Sequence, residues 1–305
     1  MEKHVCRYTL KVNSAGDGVD KDRRRVSIII PNYNRKRDLE RLLPSIANQT
    51  FVDYEVIIID DFSPDKSAVE YIKEFVKDRN NIRLVENAEN IGFVKTCNKG
   101  IKLANSEYVC ILTNDTEVAA NFIQRNVEIM DGDSSIGVLS SIIVDKDGNN
   151  WFSGGSLKGF IPVCMTDDFL GIRSVDYVAG TACFYPKVIF DKVGLLNEHL
   201  IMYHEDVEFC LRVHCMTDYR TCMLGEKLVI HRVEAADLGS YKATYYLHRN
   251  LLLISKKYSR KSLPRILLYY LRETANLLLV SVLKRNSDYL LHILPIMRGT
   301  LDGLI

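Results

Sequence analysis

Four short, continuously apolar runs alternate with helical patterns over the first half of this chain, and no other feature narrows its fold so far. The first run, Val26-Ser27-Ile28-Ile29-Ile30, stops at the turn signal Pro31-Asn32-Tyr33-Asn34. Leu39, Leu42, Leu43 and Ile46 follow at helical spacing. Residues 55–59 form the second run, closing on Asp60-Asp61, and Val69, Ile72, Phe75 and Val76 mark a second helix. Residues 82–85 are the third run, followed by the helical positions Val94, Cys97, Ile101 and Ala104. Residues 108–112 are the fourth, ending at Thr113-Asn114-Asp115. Strands with no polar alternation are buried on both faces, so the pattern predicts an α/β fold with a mostly parallel central sheet flanked by helices. Right-handed crossovers bring the strand ends to one edge, where open α/β sheets bind their ligands. Asn32, Tyr33, Asp60, Asp61, Asn114 and Asp115 are expected to line one cleft there.

Beyond Asp115 the alternation weakens. Residues 136–144 read as a strand, followed by the hairpin-type turn Asp145-Lys146-Asp147-Gly148 into Trp151-Phe152. Residues 153–174 contain glycine and show no period, so an irregular, mobile loop is expected. Tyr177-Val178 and 181–185 read as short strands around Gly180. Val207, Cys210, Leu211 and His214 mark a helix starting directly after Glu205-Asp206, and 227–230 form a strand ending at His231. From Tyr241 the pattern is helical, broken at Ser262-Leu263-Pro264 and near Asn286-Ser287. The expected organisation is a flexible lead over 1–25, an α/β domain over 26–240 and a helical module over 241–305.

The chain has 305 residues, 47% of them hydrophobic and 26% charged, which supports a full core and excludes a disordered chain or a polytopic membrane protein. A net charge of +1 gives no reason to expect nucleic acid. The average conceals a split. From Lys242 onward eleven Lys and Arg stand against three acids, a surplus of eight, and the remainder carries a deficit of seven. Such a tail suggests an anionic partner, a membrane surface or nucleic acid. Met1 to Arg25 has no apolar signal region, no CxxC occurs, and Cys97, Cys110 and Cys183 sit in apolar segments, so a reducing cytoplasm without disulfides is expected. The most apolar late stretch, 266–283, contains Arg272, Glu273 and Asn276, which rules out a spanning helix. Ile266, Leu267, Tyr270, Leu271, Leu278 and Val282 form a helical stripe that either packs on the domain or lies on the inner membrane face, beside Arg260, Lys261, Arg265 and Arg272.

Several residues could carry chemistry, each with a plainer reading beside it. Asp115, at a strand end, suits a hard cation or begins a turn. Glu205-Asp206 offset a helix dipole or present a general base. His231 and His204 read as packed side chains. Asn90-Ile91-Gly92-Phe93 is neither GxGxxG nor a P-loop, so NAD binding is not supported.

Taken together, PNYN at 31–34, IIIDDFSPD at 57–65, NIGFVKTCNKGIKLA at 90–104 and YVCILTNDTEV at 108–118 resemble the family-2 glycosyltransferases in order and spacing. VAGTACFYPKVIFDKVGLLNEHLIMYHEDVEFCLR at 178–212, LVIH at 228–231 and HRN at 248–250 are similar to that family's rhamnosyltransferase-like branch. The resemblance implies a GT-A fold with a nucleotide-sugar half over about 26–118 and an acceptor half over about 119–240. It implies donor-binding roles for Pro31, Tyr33, Asp61, Asn90, Asn114 and Gly180, with Asp61 reaching the base. The DxD position falls on Thr113-Asn114-Asp115, where only Asp115 is a carboxylate, and His231 matches the histidine that completes a Mg²⁺ or Mn²⁺ site. Asp206 matches the general base, with Glu205 its neighbour, whereas Asn197 replaces the branch's usual aspartate. Lys95, Arg212 and Arg249 are the cations at hand for diphosphate or acceptor. The implied reaction is an inverting transfer from a nucleotide-diphosphate sugar, dTDP-rhamnose or a UDP-sugar, to a glycan or lipid-linked glycan. A nucleotidyltransferase would carry a Gly-rich, basic loop where PNYN stands, and a non-catalytic descendant would not need Asp61, Asp115, Asp206 and His231 intact.

Overall fold

The computed structural model describes residues 24–232, 240–284 and 291–305. β1 (Arg24–Asn32), β2 (Tyr54–Asp60), β3 (Ile82–Glu86) and β4 (Ser106–Leu112) alternate with α1 (Lys36–Ala47), α2 (Lys66–Val76) and α3 (Phe93–Leu103), as the apolar runs require. The four strands lie parallel in the order β3-β2-β1-β4. Helices cover both faces, so Ile28, Ile29, Ile30, Ile57, Ile58 and Ile59 are wholly buried. α3 lies close enough on the sheet that a Cβ at Gly100 would sit 2.3 Å from Ile29 Cγ2, and only glycine permits that approach.

The second half extends the same sheet. β5 (Thr116–Val118), α4 (Phe122–Gly132), β6 (Ile136–Val144), β7 (Asn150–Phe152), β8 (Gly154–Lys158), β9 (Ile161–Met165), β10 (Ile172–Ser174), β11 (Ala182–Pro186), α5 (Val188–Val193), α6 (Glu205–Met216) and β12 (Arg220–His231) follow in turn. β11 runs antiparallel between β4 and β6, and β12 then β10 complete the edge. The segment 153–174 is not irregular. β8 and β9 form a hairpin around Gly159-Phe160, both left-handed as a tight hairpin turn demands, and β10 joins the main sheet. The strand expected at 227–230 begins seven residues earlier, with register shifts around Gly225-Glu226 that interrupt its apolar pattern.

The chain ends in α7 (Tyr241–Tyr258), α8 (Leu263–Lys284) and α9 (Ile293–Leu304). The break at 262–264 is present, whereas the one near 286–287 and nearly all of the 1–25 lead lie outside the described residues. Leu251, Leu252, Ile266, Tyr270 and Ile296 form a second core among these helices, closed by Phe160 and Ile161 of the β8–β9 hairpin. Part of the expected stripe is thereby covered, but Leu271 and Leu278 remain exposed.

Candidate active site

The chain steps from β1 through β2 to β3 and then returns to place β4 on the other side of β1, so the strand order reverses between β1 and β4. Their carboxyl ends bound the crevice that such a reversal opens. Asn114 Nδ2 donates across it to Asn32 Oδ1 at 2.8 Å, and Asn32 Nδ2 donates to Asp60 Oδ1 at 2.8 Å. Asp60 also accepts from the Ser63 backbone N–H at 2.9 Å, which fixes it as a structural anchor. Asp61 accepts from Asn87 Nδ2 at 2.9 Å and from the backbone N–H groups of Ile91 and Gly92 at 2.9 and 2.8 Å. A carboxylate has about four acceptor positions, so Asp61 holds the loop that opens α3 and keeps one lone pair for another donor. Lys99 Nζ donates to Asn87 Oδ1 at 2.6 Å. Pro31 is buried at the end of β1, while Tyr33, Asn90 and Lys95 are exposed at this edge.

Asp115 and His231 meet because β5 pairs antiparallel with β12, Thr116 opposite His231. His231 Nε2 lies 3.3 Å from Asp115 Oδ2, and Thr113 Oγ1 donates to Asp115 Oδ1 at 2.7 Å. Burial favours the neutral acid, but the contacts with His231 and Thr113 outweigh it and hold the Asp115 carboxyl below its ordinary range. The His231 ring stands edge-on to Trp151 at 4.5 Å, and its Nδ1 is buried with no hydrogen-bond partner.

Glu205 and Asp206 form the first turn of α6. The loop before them holds three non-glycine residues, Ile201, Tyr203 and His204, at positive φ of 62–65°. Asn250, wholly buried in α7, clamps this loop: its Nδ2 lies 2.8 Å from the carbonyl oxygens of Leu200, Met202 and Tyr203. Arg249 donates to the His199 carbonyl at 3.1 Å and to Asn250 Oδ1 at 2.9 Å. Asp206 accepts from the Gly180 N–H at 2.8 Å and the Val207 N–H at 2.7 Å. Glu205 is buried, and its Oε2 has no partner.

These environments separate two adjacent acids. Burial, then the neighbouring Asp206, pushes Glu205 up to about 8. Burial also raises Asp206, against the opposing pull of the Gly180 and Val207 N–H groups. The two N–H groups on Asp206 favour its charged form, whereas Glu205, with an oxygen that has no partner, is the member on which a shared proton is better placed. Burial pushes His204 down to about 4, so it is neutral.

The two centres are joined through the backbone. The Thr113 N–H donates to the Thr181 carbonyl at 2.9 Å, next to the glycine that holds Asp206. Thr113 in turn holds Asp115. Arg212 does not belong to this edge. Its guanidinium donates to Glu208 Oε2 at 2.8 Å and to the Val193 and Leu195 carbonyls at 2.6 and 2.8 Å, so three of its five N–H groups tie α6 to the end of α5. Sequence reasoning missed Asn87, Lys99, Thr181 and Asn250. Asn87 directly follows β3, so extending the strand-end rule to the third strand finds it.

The profile described as Glycosyl transferase family 2 matches residues 27–194. The low-salt glycan biosynthesis hexosyltransferase Agl10 of Haloferax volcanii is 23% identical over 257 residues, 79% of this chain and 78% of that protein. A GalNAc(5)-diNAcBac-PP-undecaprenol beta-1,3-glucosyltransferase of Campylobacter jejuni is 31% identical over 240 residues, 76% of this chain and 73% of that protein. Among solved structures, S. aureus TarS in complex with UDP superposes with a TM-score of 0.55 at 19% identity over 75% of this chain and 65% of that one. GalNAc-T7 with UDP, GalNAc and Mn²⁺ superposes with a TM-score of 0.65 at 18% identity over 88% of this chain and 55% of that one. The chain thus spans between about half and two thirds of those solved chains, and the likeness bears out the GT-A fold.

Proposed function

Because the chain belongs to glycosyl transferase family 2 and is a glycosyltransferase of GT-A fold, we propose that it moves a hexosyl group, with inversion, from a nucleotide-diphosphate sugar to a hydroxyl of a glycan or lipid-linked glycan. The donor is a UDP-sugar or, following the rhamnosyltransferase-like segment, dTDP-rhamnose. The observation that carries this reading is the geometry of the acid pair: Asp206 is positioned by two N–H groups, and Glu205 is buried beside it with one oxygen unpartnered, burial raising its pKa. Asp206 takes the proton from the acceptor hydroxyl as that oxygen attacks the anomeric carbon. The bond to the diphosphate breaks on the opposite face, the nucleoside diphosphate leaves, and the configuration inverts in one displacement. Neutral Glu205 adds no second negative charge against the incoming donor. Pro31, Tyr33, Asp61, Asn90, Asn114 and Gly180 line the donor side. Lys95 and Arg249 are the cations available to diphosphate or acceptor, while Arg212 ties α6 to the end of α5.

Asp115 and His231 fit a divalent cation: one anionic oxygen ligand and one imidazole, whose Nε2 stands 3.3 Å from the carboxylate. Two protein ligands are few, so most of the coordination would come from the donor's diphosphate and water. Bound there, Mg²⁺ or Mn²⁺ would neutralise charge on the departing diphosphate. We place the enzyme in the cytoplasm on the inner membrane face, with the domains at 26–240 and 241–305. Purified protein, a panel of UDP- and dTDP-sugars and Mn²⁺ provide the test. Nucleoside diphosphate release by wild type but not by Asp206→Asn is expected, and release by neither with any donor refutes the reading.

A further inference from the structure

Large apolar side chains are exposed mainly on the C-terminal helices. Residues 241–305 hold thirteen of the twenty-two among the described residues, so their spread is not the ordinary scatter of a soluble surface. On α8, Ile266, Tyr270 and Leu277 face the core with α7 and α9. Leu268, Leu271, Leu278, Leu279 and Leu283 are all exposed, up to 71% at Leu283. At about 100° per residue these five fall within an arc of roughly 140° opposite the packed face. α9 repeats the arrangement. Pro295, Ile296, Gly299 and Gly303 are buried, and Leu294, Met297 and Leu301 are exposed on the other side.

We propose that the outward apolar faces of α8 and α9 seat the chain on an anionic lipid surface. Arg260, Lys261 and Arg272 are exposed and pair with no acid among the described residues. The one acid of α8, Glu273, is taken by His248 Nε2 at 3.1 Å. The face therefore combines apolar side chains with uncompensated cations, the composition of a helix lying in a membrane interface. No described helix is long and apolar enough to cross a membrane, which leaves α8 in the interface plane along its length of ~33 Å. A second copy is a poorer occupant, because a two-fold contact through this face opposes two modules that each carry a surplus of eight positive charges.

Flotation of the full chain with phosphatidylcholine vesicles, with and without phosphatidylglycerol, tests the proposal. Wild type should float only with the anionic vesicles, and high salt should weaken it. Leu271→Glu with Leu278→Glu should lower the floated fraction about tenfold or more, since it buries two carboxylates in the lipid face. Lys261→Glu with Arg272→Glu should abolish the anionic preference. All four side chains are exposed, so folding is retained, and an unchanged melting temperature confirms it. Donor hydrolysis is measured in parallel; loss of flotation with hydrolysis intact separates this surface from the active-site reading. A wild type that fails to float at low salt, or a leucine variant that turns a dimer into a monomer without changing flotation, overturns the proposal.

Discussion

Replacing Asn250 by alanine tests whether the C-terminal helices set the geometry of the acid pair. The two N–H donors of the side-chain amide are shared among three carbonyls of the 200–203 segment, and that segment runs directly into Glu205-Asp206. A buried polar group left without a partner costs about 1–3 kcal/mol. Against this, Ile201, Tyr203 and His204 hold backbone strain of about 1–3 kcal/mol each at positive φ. The two totals are similar, so the loop relaxes locally rather than carrying those costs in full. We expect a global loss of only ~1–3 kcal/mol, a fall of a few degrees in Tm for a domain this size. The start of α6 should move with the loop, and a shift of ~1 Å in a reacting group costs roughly 10²-fold. Steady-state kinetics should show kcat down by about that factor, with the donor KM within about threefold, because Asp61 and Asp115 sit on other elements. Asn250→Asp, which removes the donors and adds a charge facing three carbonyls, should be worse than alanine. Turnover near wild type in both variants would show that the clamp is irrelevant to the pair.

Three further predictions concern the site itself. Asp206→Asn should reduce turnover by about 10²–10⁴-fold, as for a lost general base, while nucleoside diphosphates still raise its Tm; near-normal turnover removes the assignment. Asp115→Ala should weaken the metal-dependent part of that thermal shift, because it removes the anionic ligand of the Asp115–His231 pair. Wild-type activity untouched by EDTA would refute the metal role. Glu205 binds a proton in the folded state up to about 8, against 4.5 in the unfolded chain. Its contribution is complete below the unfolded value and lost as pH rises toward 8, so stability should fall across that window. Tm measured from pH 5 to 8.5 should decline less steeply in Glu205→Gln, and an identical slope in both proteins contradicts the shift.

The legible parts of the sequence are those whose cause is local. The parallel strands are buried on both faces, so their apolar runs announce them, and the residues after β1, β2 and β4 fall on one edge as the topology requires. The β8–β9 hairpin announces nothing. Its residues show no alternation, and Phe160 and Ile161 pack against helices about a hundred residues later. β12 was visible only over its apolar end because Gly225 and Glu226 interrupt it. In the candidate site, the positions of Asp206 and Asp115 at a helix start and a strand end are legible, but the roles proposed for them come from the family resemblance and not from position. The Asn250 clamp spans about fifty residues and depends on tertiary packing. Arg212 was misread for a local reason: Glu208 stands four residues before it on the same helical face, a spacing that signals an ion pair.

An acid in the first turn of a helix usually needs no further account, since it offsets the positive end of the dipole. That reasoning covers Asp206, whose oxygens accept two backbone N–H groups. It does not cover Glu205, which is buried with an oxygen that bonds to nothing. A second carboxylate held there as an anion would be costly, and it escapes that cost only by keeping its proton. With Glu205 neutral, the pair holds one negative charge, and that charge sits on the carboxylate fixed by Gly180 and Val207. A residue kept only for helix stability would gain nothing from such burial. On the proposed reading, the arrangement would supply a charged base beside the cleft with a neutral partner. Glu205→Gln should therefore retain much of the turnover that Asp206→Asn loses, and equal losses in both would assign the base role to the pair rather than to Asp206.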